Sequence, residues 1–96
     1  MSSSIGTDRP EVPDVKIIQA MNELYNSLKK RLDQKGYGSF KSSHEIYGII
    51  AEETNIELLE AIHQNKPLSE IQEELLDIAV ACIFGYASIE NETVDW

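Results

Sequence analysis

Residues 52–60 read Glu52-Glu53-Thr54-Asn55-Ile56-Glu57-Leu58-Leu59-Glu60, and residues 73–77 read Glu73-Glu74-Leu75-Leu76-Asp77. In both stretches acids and aliphatic residues recur at spacings of three and four, the period of a helix. Asn65 and Pro67 lie between them and supply a stop. A link of about five residues between two helices favours an antiparallel helical hairpin. The charge is as telling as the period. Residues 44–96 contain twelve Asp or Glu and one Lys, whereas residues 1–43 contain five acids and seven bases. Carboxylates threaded through apolar helix faces repel one another unless something positive sits among them, and the simplest such thing is a divalent metal ion.

Outward from the hairpin, Ser42 with Glu45 and Ser69 with Gln72 read as capping boxes that open its two helices. The first should run to His63 or Gln64, and the second to Ile89 or Glu90. Upstream, Val15, Ile18, Met21, Tyr25, Leu28 and Leu32 mark a helix from Asp14 to Lys35, stopped by Gly36. Lys29, Lys30, Arg31 and Lys35 lie in its last turns, where cations complement the helix dipole. The loop at residues 36–42 lacks the spacing of a phosphate-binding loop. Nothing reads as a strand. The expected fold is all-α: an antiparallel helical hairpin plus an N-terminal helix, completed into a helical bundle by oligomerisation. Residues 1–13 are expected to be a flexible arm, 14–90 the domain and 91–96 a tail.

Ninety-six residues make one domain at most, and chains this short are marginal or associate. Ile78 to Phe84, Cys82 included, are consecutively apolar, and a helix apolar nearly all round expects contact on more than one side. Ala81 and Gly85 are small enough for close approach. The single cysteine, expected in the core, excludes an internal disulfide and fits a reducing compartment. No stretch approaches the roughly 18 apolar residues of a membrane span, and no leader-like segment opens the chain. The expected location is the cytoplasm, with no membrane partner. A net charge of −9 argues against a nucleic-acid polymer as partner.

Glu53, Glu57 and Glu60 form one acidic stripe, and Glu74 and Asp77 another. Their apolar neighbours put both stripes on or beside buried faces, where an unpaired carboxylate costs several kcal/mol. One lysine cannot neutralise them. With the turn centred near residue 67, Glu57 lies level with Asp77 and Glu60 with Glu74. Glu53 is then offset from Asp77 by roughly 6 Å along the axis. Four or five carboxylates can converge, and an all-oxygen set suits Mg²⁺ first and Mn²⁺ second.

These residues resemble a known family. Ile49-Ile50-Ala51-Glu52-Glu53, its continuation Glu57 to Ile62, and Glu73-Glu74-Leu75-Leu76-Asp77-Ile78-Ala79 are similar to the acidic blocks of MazG-like all-α nucleoside triphosphate pyrophosphohydrolases. His44 to Gly48 looks like the segment before the first block in phage-type members. The resemblance covers roughly residues 43–90. It implies cleavage of a (deoxy)nucleoside triphosphate between its α and β phosphates, giving monophosphate and pyrophosphate. It also implies dimers or tetramers that hold the base between subunits. The family pattern Glu-Glu-x-x-Glu has Ile56 where its last acid should stand. Either one residue has been added, as a π-bulge, or the ligand pair has slid to Glu57 and Glu60. The expected metal ligands are Glu53, Glu57, Glu74 and Asp77, with Glu60 as the catalytic carboxylate.

No nucleophilic side chain is required for such chemistry. His44 and His63 read as helix-end residues. Tyr25, Tyr37, Phe40 and Trp96 are candidates for stacking on a base. Two rival readings are a non-catalytic helical interaction module with at most a structural metal, and a pyrophosphohydrolase for an intermediate such as phosphoribosyl-ATP.

Overall fold

The structure, a computed structural model, describes residues 9–96. The chain is all-α. Helix α1 spans Asp14–Lys35 and α2 spans Ser43–Glu52. A π-helical segment, Glu53–Leu58, leads into α3, Leu59–His63, and α4 spans Leu68–Glu90. The chain runs without a break from α2 through the π segment to α3, so residues 43–63 form one rod. Of the arm expected over residues 1–13, the first eight lie outside the described residues; residues 10–13 are non-helical and exposed.

Local chemistry sets the helix ends. Gly36 adopts φ 92°, and its N–H reaches the Leu32 carbonyl at 2.7 Å. Ser42 Oγ accepts from the Glu45 N–H at 3.1 Å. Glu45 answers by accepting from the Lys41 N–H, one residue ahead of the cap, at 2.7 Å. The rod ends at Asn65, which takes φ 54°. The N–H groups of Asn65 and Lys66 bond back to Ile62 and Ala61, closing a Schellman motif. Glu92 repeats the device after α4 at φ 59°, with its N–H on Ile89 and that of Thr93 on Ser88.

Ser69 does not cap. Helix α4 begins one residue before it, and Pro67 leads in without any side-chain cap. The fixed φ of proline is pre-organised for a helix start. Its carbonyl takes the Glu70 and Ile71 N–H groups at 2.9 and 3.2 Å.

Helix α4 is the hub. Ile46 lies on Gly85 and Glu57 beside Glu74, so the rod runs antiparallel to α4. On the other side Met21 and Leu24 share a groove with Gln72 and Leu75, and Arg31 reaches Asp77. Numbers rise together there, so α1 runs parallel to α4. The closeness that Gly85 permits is therefore within the chain: a Cβ at that position would meet Ile46 Cγ2 at 3.1 Å. The loop between α1 and α2 is pinned by Phe40, whose ring meets Phe84 edge-on at 5.5 Å and whose N–H reaches buried Ser88 Oγ at 3.3 Å.

Residues 91–96 fold back as well. Asp95 donates its N–H to the Lys41 carbonyl and accepts from the Ser43 N–H, both at 2.8 Å. Thr93 meets Ser39 through their hydroxyls at 2.6 Å. These pairings form an isolated bridge between Ser42 and Asp95, and there is no strand among the described residues. Trp96 stays 94% exposed.

Little of the apolar surface is covered. The buried hydrophobic residues are Ala61, Val80 and Ala81. No residue of α1 is buried, and Val15, Ile18, Met21 and Tyr25 face outward. Cys82, expected in the core, is exposed, because α4 turns Val80, Ala81, Gly85 and Ser88 inward instead. The radius of gyration is 15.7 Å, whereas a compact chain of this length has about 12–13 Å. Among the described residues no helix is long and apolar enough to cross a membrane.

Candidate metal centre

The centre is built where the rod changes pitch. Thr54 turns its hydroxyl back onto the Ile50 carbonyl, so a side chain competes for the helix's own acceptors. The Glu53 N–H is shared between the Ile49 and Ile50 carbonyls. The π segment that follows absorbs one extra residue. Residues four apart then stand where residues three apart would stand in an α-helix.

Glu53 and Glu57 are so brought onto one side, facing Glu74 of α4. One carboxylate oxygen from each of the three lies within 4.8 Å of the others. Glu53 and Glu74 are half-buried, and Glu57 is exposed. Glu53 Oε2 and Glu74 Oε2 are out of solvent and without a hydrogen-bond partner. Buried polar atoms are nearly always satisfied, so two orphaned oxygens in one cluster call for a positive partner. The protonation energetics agree. Loss of hydration pushes the Glu53 carboxyl up to about 7, aided by the Glu57 carboxylate beside it and by the charges of Asp77 and Glu74. Glu74 is raised too, first by burial and then by Glu57 and Asp77. An all-oxygen donor set of this kind fits Mg²⁺ or Mn²⁺.

The two other expected site residues stand apart. Asp77 Oδ1 accepts from Arg31 Nη2 at 2.7 Å, both side chains being about one-third exposed. Glu60 is exposed, and its Oε1 accepts from Gln64 Nε2 at 2.9 Å. Glu60 shares a groove of about 650 Å³ with Glu57, Glu70, Glu73 and Glu74. Their levels differ from expectation because the turn lies between His63 and Leu68, earlier than residue 67. Glu57 therefore stands level with Glu74 rather than with Asp77, and Glu60 is carried past Glu74 towards the turn.

Arg31 is the residue that sequence reasoning missed. The expectation that one lysine cannot neutralise the carboxylates counted only cations within the hairpin; this one arrives from α1. Its signal was present: Arg31 follows Leu28 by three and precedes Leu32, which puts it at the margin of the apolar stripe. Arg31 also stands in the wall of a cavity of about 400 Å³, with Lys35, Phe40, Phe84 and Glu53. Of the stacking candidates, Tyr25 and Tyr37 are exposed, and Tyr37 holds Lys29 Nζ on its hydroxyl at 2.6 Å.

No protein-family model, curated protein or solved structure matches the chain. Fold and site define it by their own geometry: an all-α chain with a three-carboxylate centre between antiparallel helices.

Proposed function

We propose that the chain is a cytoplasmic, homo-oligomeric nucleotide pyrophosphohydrolase that depends on Mg²⁺ or Mn²⁺ and cleaves a (deoxy)nucleoside triphosphate to monophosphate and pyrophosphate. The observation that carries the proposal is the convergence of Glu53, Glu57 and Glu74 with two buried, unpartnered oxygens. The resemblance of residues 43–90 to MazG-like enzymes supplies the reaction. A π segment over residues 53–58 accounts for the one-residue excess in the family pattern.

Glu53, Glu57 and Glu74 would hold the cation, with Asp77 on its outer side. A bound dication supplies charge neutralisation for the polyphosphate and lowers the pKa of a bound water. Glu53 and Glu74 favour the cation because their burial raises the free energy of the ionised form without it. Glu57, on the solvent side, borders the groove through which substrate reaches the cluster. Glu60 in that same groove is the carboxylate left to take a proton. The phosphates need positioning and charge stabilisation more than covalent chemistry, and a dication held by these carboxylates would offer both.

The uncovered helix faces support the oligomeric part of the proposal. Val15, Ile18, Met21 and Tyr25 on α1, with Leu75, Ile83 and Tyr86 on α4, leave an apolar surface that a second copy would close into a bundle. A screen of pyrophosphate release across all nucleoside and deoxynucleoside triphosphates, with Mg²⁺ and with Mn²⁺, tests the proposal. Release should require the metal and vanish in Glu57→Gln. Absence of turnover on every substrate would favour a non-catalytic helical module that uses the same faces for assembly.

A further inference from the structure

Resting on the metal-site reading above, we propose that Arg31 is a positioning residue that sets the charge of the centre and so admits a polyphosphate. Arg31 is bonded to Asp77 at 2.7 Å and stands, with Lys35, in the wall of the 400 Å³ cavity that also reaches Glu53. The cavity's other walls are apolar, including Leu28, Phe40 and Phe84.

A dication on Glu53, Glu57 and Glu74 leaves one net negative charge. Asp77 adds a second unless it is cancelled, and Arg31 is the cation paired with it. A polyphosphate carries several negative charges, and each further carboxylate at the centre opposes its approach. The guanidinium suits the task because it stays charged at any working pH and its fork fits a carboxylate.

The role makes predictions of opposite sign for cation and anion. A mere tie between α1 and α4 would not. In Arg31→Gln the freed Asp77 carboxylate attracts metal, so Mn²⁺ should bind as tightly as in the wild type or a few-fold tighter. Inorganic tripolyphosphate, offered to the Mn²⁺-loaded protein, should bind about tenfold more weakly. Arg31→Lys should recover most of that loss. The double variant Arg31→Gln, Asp77→Asn removes both charges and should bring tripolyphosphate affinity back towards wild type. Mn²⁺ binding is read by electron paramagnetic resonance and tripolyphosphate binding by calorimetry, with melting curves as a check on folding. A parallel loss of Mn²⁺ and tripolyphosphate in Arg31→Gln, or a double variant no better than the single one, overturns the inference. Failure of the wild-type protein to bind Mn²⁺ overturns the metal-site reading itself, a distinct result.

Discussion

Glu53 and Glu57, four residues apart, meet in one cluster across a helical turn that is π rather than α. The extra residue is absorbed locally, and the rod continues to His63 without a break. Deleting exposed Asn55 should therefore regularise the helix and leave the two glutamates three apart on one face. Mn²⁺ affinity should stay within a few-fold of wild type, and the melting temperature should rise. If the deletion abolishes Mn²⁺ binding, the π turn does more than absorb one extra residue.

Much of this was legible beforehand. The periods of α1, the rod and α4 are carried by apolar residues whose spacing the tertiary structure respects, and Gly36 and Asn65 mark stops that backbone geometry demands. The alternative of an added residue, raised by the resemblance because Ile56 stands where its pattern expects an acid, agrees with the π segment at residues 53–58. Three things were not legible. Arg31 stands visibly at the margin of an apolar stripe, but its partner lies 46 positions away, and no local pattern encodes that pairing. The level of the turn depends on Pro67 outcompeting Ser69 as helix opener. The inward face of α4 depends on Gly85 accepting Ile46, which leaves Cys82 outside.

The two serines make a matched test. Ser42 accepts from the Glu45 N–H, whereas Ser69 caps nothing. Ser42→Ala should cost about 1 kcal/mol of stability. Ser69→Ala should stay within about 0.5 kcal/mol of wild type. Denaturant titrations of both variants decide it, and equal losses would contradict the observed helix start.

Gly85 should tolerate one carbon and reject more. Its added Cβ would press on a flexible end of Ile46 at 3.1 Å, and alanine gains up to about 1 kcal/mol of helix propensity in return. Gly85→Ala should therefore melt close to wild type. Gly85→Leu overpacks the crossing and should lose about 1–3 kcal/mol, a drop of several degrees or more by calorimetry.

Stability should fall as pH rises in metal-free buffer. The Glu53 carboxyl is raised from 4.5 to about 7, and Glu74 is raised as well, chiefly by burial. A raised folded-state value means the folded chain holds its proton more tightly than the unfolded chain does. The resulting stabilisation is complete below about 4.5, the ordinary carboxylate value, and is lost progressively as pH climbs through about 7. Melting temperatures in chelator should thus decline by a few degrees between those limits. Excess Mg²⁺ favours the ionised carboxylates and should remove the decline. A chelated protein that gains stability over the same window would refute the burial of these groups.

Glu74 and Glu60 should separate binding from chemistry. Glu74 contributes an oxygen to the cluster, together with an orphaned buried one. Its replacement by glutamine removes a charge from three that must offset a dication, so Mn²⁺ binding should be lost along with turnover. Glu60 is not one of the three clustered carboxylates and bonds Gln64 in the adjoining groove. Glu60→Gln should keep Mn²⁺ affinity within a few-fold. Its turnover should fall by about 10²–10⁴, the range of a positioned general base, with KM little changed. The discriminating measurement is Mn²⁺ titration beside steady-state pyrophosphate release on the same preparations. Should Glu60→Gln lose metal as severely as Glu74→Gln, Glu60 belongs among the ligands, and the cation sits nearer the turn than the three-carboxylate geometry indicates.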